Sequence, residues 1–90
     1  MDITINKIPS KEELNALNVF NWPIWEKEAS EFPWYYDDKE TCYIIEGQVI
    51  VTPENGDPVE INEGNLVTFP RGMSCTWKIT KDLRKHYNFG

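Results

Sequence analysis

A chain of 90 residues with a net charge of −6, from 15 acidic and 9 basic side chains, has room for one domain and one thin core. The acidic balance argues against a nucleic-acid binder, which needs a basic face to meet phosphates, and against attachment to anionic membrane surfaces. No apolar run reaches the length of a membrane-spanning helix, and Met1-Asp-Ile-Thr-Ile reads neither as a secretory leader nor as a transit peptide, so the expected compartment is the cytoplasm.

The first 21 residues read as an extension with one short helix. Ser10-Lys-Glu-Glu13 is a capping-box sequence, and Leu14 and Leu17 follow at helical spacing, which predicts a helix over roughly Lys11 to Leu17. From Trp22 onward the chain reads as strand and turn, with Pro23 and Pro33 interrupting any helical alternative. Phe32 to Tyr36 is an aromatic strand stopped by Asp37-Asp38. Thr41 to Glu46 and Gln48 to Thr52 flank Gly47 and read as a hairpin. Pro53-Glu-Asn-Gly-Asp57 is a turn cluster. Val59 to Ile61, Leu66 to Phe69, Ser74 to Ile79 and Leu83 to Phe89 complete the strands. Lys81 to Lys85 would also suit a short helix, but Tyr87 and Phe89 at alternate positions favour a terminal strand. The reading is all-β: a single domain over 1–90, with a barrel over 22–89 and eleven of the twelve aromatic residues between Phe20 and Tyr87.

Two stretches carry more specific information. Glu40-Thr-Cys-Tyr-Ile-Ile-Glu-Gly47 matches the second half of one cupin motif, in which a glutamate leads a hydrophobic strand that closes on glycine. Gly64, Pro70 and Gly72 fall at the spacing of the other cupin motif, with Cys75 where that motif carries a histidine. The chain therefore resembles the cupins. It looks most like the small single-cupin proteins grouped with the (S)-ureidoglycine aminohydrolase cupin domain, through Trp22-Pro-Ile-Trp25, Trp34-Tyr-Tyr-Asp37, Phe69-Pro-Arg-Gly72, Cys75-Thr-Trp77 and Arg84-Lys-His-Tyr87. That resemblance implies a cupin-type jelly-roll barrel, often paired as a homodimer. The aminohydrolase itself is a two-cupin, manganese-dependent enzyme, whereas this chain has length for one cupin.

Strand alternation then selects a pocket. If Glu40 faces inward, so do Cys42 and Ile44, and if Cys75 does, so does Trp77. Trp34 and Tyr36 stand where the motif's missing His-x-His pair would be. The candidate ligand pocket is Trp34, Tyr36, Glu40, Cys42, Cys75, Trp77 and Lys85, although alternation alone leaves open whether Arg84 and His86 or Lys85 and Tyr87 face inward. Trp22 and Trp25 read as packing or dimer-contact residues.

The candidate catalytic residues are Glu40, Cys75 and His86. Glu40 could act as a general acid or base, anchor a cationic ligand, or simply pair with Lys85, Arg84 or a tyrosine hydroxyl. Cys75 as a nucleophile would need His86 as its base, since His86 is the one histidine in the chain. Neither motif retains a histidine, so no metal site is expected. Glu40, Cys42, Cys75 and His86 are the donors that a divalent ion (Mn, Fe, Ni or Zn) would have to use. In the cytoplasm Cys42 and Cys75 are expected to be thiols, the rival being one disulfide. The leading expectation is small-molecule binding. The alternatives are a metal-dependent cupin enzyme acting on a small nitrogenous or sugar-like metabolite, and an interaction protein working through Trp22 and Trp25.

Overall fold

The computed structural model describes residues 2–90; Met1, where the expected domain span begins, lies outside the described residues. Near the N-terminus, Ser10 caps helix α1 (Lys11–Ala16): its hydroxyl accepts from the Glu13 amide at 3.1 Å, and the Glu13 carboxylate accepts from the Ser10 amide at 3.3 Å. These bonds satisfy two of the amides that a helix start leaves free. Leu14 is the one residue of the helix that is buried. A short 3-10 turn (Val19–Asn21) follows.

Seven strands make up the rest: β1 (Thr4–Asn6), β2 (Ile24–Lys27), β3 (Ser30–Tyr35), β4 (Glu40–Pro53), β5 (Val59–Asn62), β6 (Leu66–Phe69) and β7 (Ser74–Phe89). Every pairing among them is antiparallel. Two long strands, β4 and β7, pair along nearly their whole length and form the spine. The first half of β4 takes β6 on its other edge, and the second half takes β5. On the far edge of β7, β3 pairs with its first half and β2 with its second. The spine thus belongs to both halves of a jelly-roll barrel. The first residues do more than extend the barrel, because β1 pairs with β6 and adds a strand to the sheet.

Gly47 is not a hairpin turn. The chain runs straight through it as one strand, and the register between β4 and β7 slips on either side of it. The phase of β4 changes across the slip: Glu40, Cys42 and Ile44 are buried before it, Val49 and Val51 after it. An extra residue moves the inward set from even to odd positions, and both halves of the strand can face one core. Gly47 adopts φ +103°, and a side chain there would run into the backbone of Lys81, Asp82 and Leu83. A glycine between two β-forming runs suits a bulge as well as a turn, and here the close approach of β7 decides it.

Residues Leu83 to Phe89 likewise continue the strand that starts at Ser74, with no helix at Lys81 to Lys85. In β7 the odd positions Cys75, Trp77, Ile79, Leu83 and Lys85 are buried, and the even positions Thr76, Lys78 and Arg84 are exposed. The turn cluster after Pro53 forms as expected, with Asn55 at φ 63°. Inside, Tyr36 stacks on Phe69 at 4.8 Å, among Val49, Val51, Ile61 and Val67. Among the described residues, no helix is long and apolar enough to cross a membrane.

Candidate functional site

The site begins at the first residue of β4. Glu40 lies opposite Phe89, Cys42 opposite Tyr87 and Ile44 opposite Lys85 on the neighbouring strand. Lys85 extends along this face until its ammonium donates to Glu40 Oε2 at 2.7 Å and to Cys42 Sγ at 3.3 Å. The Cys42 thiol in turn donates to Glu40 Oε2 at 2.7 Å. The Lys85 and Glu40 side chains are only 7% and 4% exposed, so this is a buried ion pair. Burying both charges is costly, and good hydrogen-bond geometry is what makes it tolerable.

Two indoles complete the setting of Lys85. Its ammonium lies 4.9 Å from the Trp25 ring centre and 4.6 Å from that of Trp77. The π-faces offer a lysine partial compensation for lost water. Burial by itself would push the Lys85 pKa down; the facing Cys42 and Glu40 groups and their hydrogen bonds outweigh it and hold the ammonium above the usual lysine range. Burial is also the main reason the Cys42 thiol is pushed far up. It therefore stays a thiol at neutral pH, which suits its role as donor to Glu40.

Above the pair opens a cavity of about 160 Å³. Its walls are Trp25 from β2, Phe32 and Trp34 from β3, and Trp77, Tyr87 and Phe89 from β7, and its charged lining is Glu40 and Lys85. Trp77 stacks on Phe32 at 6.2 Å and meets Trp25 edge-on at 84°. A mostly aromatic hollow with two polar groups at one place is the common form of a small-molecule site.

Of the residues that the sequence singled out, Trp34, Glu40, Trp77 and Lys85 meet at this cavity. Cys42 lies behind it, bonded to the ion pair. Tyr36 is one layer deeper, where its hydroxyl accepts from Trp77 Nε1 at 3.1 Å, and burial pushes its pKa far up. Cys75 lies elsewhere: it is buried in the core, borders a separate open hollow with Pro33 and Thr52, and donates weakly to the Trp34 carbonyl at 3.6 Å. Burial raises its pKa too.

The Cys75–His86 couple that nucleophilic chemistry would need does not form. His86 is on an even position of β7 and points to the opposite face, where Nδ1 is 2.9 Å from the Trp22 carbonyl and the ring meets Phe20 edge-on. Of the two readings of Trp25, packing or dimer contact, the structure shows packing: it turns inward over Trp77 and Lys85. Phe32 and Phe89 are wall residues that the sequence reading does not include, and Tyr87, which it leaves open together with Lys85, joins them. Counting alternate positions from Trp77 along an unbroken β7 reaches Lys85, Tyr87 and Phe89, so the signal existed; dividing the strand in two hid it. Both cysteines are free thiols, not a disulfide.

Cupins that bind metal require convergent donors, and these residues do not supply them. Among the described residues no group of three or more histidine, cysteine, aspartate or glutamate side chains converges. Glu40 is paired with Lys85 through Oε2, both thiols are held protonated by burial, and His86 faces away. The strongest local positive charge is an ammonium belonging to the chain itself.

A jelly-roll spine, the two motifs around Glu40 and Pro70, and an inward-facing pocket between the half-sheets define a cupin. More narrowly, residues 14–87 match the family described as the EutQ-like cupin domain, and the chain belongs to that family. A DUF861 family protein from Thermotoga maritima has a similar structure, with a TM-score of 0.96 and 55% identity over 99% of this chain and 100% of that one. A putative ethanolamine utilization protein Q from Salmonella typhimurium matches with a TM-score of 0.67 and 17% identity, over 97% of this chain and 68% of that one. The EutQ protein of Clostridium difficile matches similarly, with a TM-score of 0.67 and 19% identity over 97% of this chain and 66% of that one. At those identities the two EutQ structures show the shared fold alone. No curated protein matches the chain.

Proposed function

We propose that this small cupin is a binding module for a small molecule held in the aromatic cavity. The observation that carries the reading is the buried Lys85–Glu40 pair opening into a hollow walled by Trp25, Trp34 and Trp77. Aromatic walls supply contact area, and the ion pair supplies orientation. The resemblance to the (S)-ureidoglycine aminohydrolase cupin domain supports the location of the pocket. It does not extend to metal chemistry, because Lys85 and His86 are arranged for other partners.

A thermal-shift screen of neutral ring metabolites tests the proposal. A ligand at about 100 times its Kd stabilises the folded state by about 2.7 kcal/mol, which moves the Tm of a domain this size by roughly 10–20 °C. Trp34→Ala removes a wall residue that is 43% exposed, so the core stays intact while the shift shrinks. A screen in which hits stabilise Trp34→Ala and the wild type equally would refute this site.

Cytoplasmic residence and a homodimer belong to the same proposal. Ile24, Tyr35 and Phe89 are exposed apolar side chains that a second copy could cover. Light scattering of the purified protein tests the pairing, and a monomer at micromolar concentration would dismiss it.

A further inference from the structure

Glu40 and Lys85 do not exhaust each other's hydrogen-bonding capacity. An ammonium has three donors, and Lys85 spends two, on Glu40 Oε2 and Cys42 Sγ. Both bonds to the Glu40 carboxylate fall on Oε2, leaving Oε1 without a partner among the described residues. No sealed side-chain nitrogen or oxygen in the described structure lacks a partner, so Oε1 reaches open space, and the space that Glu40 lines is the cavity. The site thus presents one free acceptor, Oε1, beside an ammonium whose third N–H has no side-chain or backbone acceptor and lies against the Trp25 and Trp77 rings.

The charges narrow the choice further. Lys85 and Glu40 cancel. A cationic ligand head would meet the ammonium, and an anionic head the carboxylate, each in a hollow whose remaining walls are uncharged aromatic side chains and offer no counter-ion. A neutral group with its own donor and acceptor side by side satisfies both free positions at once. Size bears on the remainder: about 160 Å³ is close to the roughly 150 Å³ that admits benzene in another protein's cavity, so the part of a ligand inside the hollow is about one ring. The aromatic walls, with Trp34 the most exposed of their indoles, favour a planar ring.

We infer that the pocket selects neutral, planar, single-ring molecules bearing adjacent donor and acceptor atoms, as on the N–H/C=O edge of a lactam. This inference rests on the reading of the cavity as a binding site. Isothermal titration calorimetry of the wild-type protein with four probes tests it: 2-pyridone, N-methyl-2-pyridone with its donor blocked, benzoate and benzylamine. The expected result is saturable binding of 2-pyridone at least about tenfold tighter than any of the other three. Benzoate, benzylamine or the N-methyl compound binding as tightly as 2-pyridone would overturn the inference and leave the binding site standing. Heat from none of the four would overturn both. The double variant Glu40→Gln/Lys85→Met keeps the walls and removes the buried charges together. It is expected to bind 2-pyridone and its N-methyl derivative within about twofold of each other; a retained preference would place recognition elsewhere.

Discussion

Lys85 Nζ lies 2.7 Å from Glu40 Oε2, joining residues 45 positions apart in sequence at the base of an aromatic hollow. Both side chains are almost entirely buried. Lys85 brings a positive charge to the hollow from the chain itself, so that charge is present whenever the chain is folded.

The first consequence concerns stability. Lys85→Met leaves Glu40 buried without a counter-charge and is expected to cost about 3–5 kcal/mol in urea denaturation. Adding Glu40→Gln should recover more than half of that loss, because the two sites are in direct contact and their effects are not additive. A Lys85→Met protein within about 1 kcal/mol of wild type would mean that the pair is solvated in solution.

Alkaline pH should unfold the protein through the same cluster. Cys42, Tyr36 and Lys85 all hold their protons more tightly when folded than at their ordinary values of 9.0, 10.0 and 10.5. Below those values both the folded and unfolded states are protonated and the contribution is complete. As pH rises past them the unfolded chain releases protons that the folded one retains, and stability falls. Chemical denaturation should be insensitive to these groups below about pH 8 and then lose up to about 1.4 kcal/mol per pH unit for each group engaged. Cys42→Ser should flatten the first part of that decline. A stability that rises between pH 8 and 10 would contradict the account.

Thiol labelling gives an independent reading of the interior. Cys42 is fully buried and Cys75 nearly so, and burial raises both pKa values. An aromatic disulfide reagent at pH 8 should label the native protein slowly and find two thiols promptly after denaturation. Rapid native labelling of Cys75 would revive it as a reactive group.

Gly47 and Gly64 make a controlled comparison. Both have positive φ, +103° and +85°, but only Gly47 has backbone pressed against the position of a side chain, with Leu83 Cα and Lys81 O at 2.9 Å. Nothing lies within 4 Å at Gly64. Gly64→Ala should cost about 1 kcal/mol from conformation alone, and Gly47→Ala clearly more, because β4 must move away from β7. Equal costs would mean that the bulge is not held as described.

Much of this fold was legible in local chemistry. The Ser10 capping box, the alternation around Trp77 and the glycine and proline punctuation are short-range signals, and they placed the helix, most strands and the inward face of Glu40. The misreadings share one cause. Whether Gly47 turns the chain or bulges it depends on β7 passing alongside, which no local pattern encodes. The same holds for Trp25: a four-residue strand such as β2 has too few positions to show its inward face, and its direction is set by pairing with Lys85, 60 residues away. Reading β7 as two strands breaks the parity linking Trp77 to Lys85 and Tyr87, and leaves His86 a candidate that continuous alternation removes.

The four indole N–H signals give the most direct measurement of the central claim. Trp25, Trp34 and Trp77 line the cavity, while Trp22 does not, so titrating 2-pyridone into ¹⁵N-labelled protein carries its own control. The account predicts concentration-dependent shifts of the Trp25, Trp34 and Trp77 indoles that saturate together while Trp22 stays still. Saturation with Trp22 moving and the other three unmoved would contradict it.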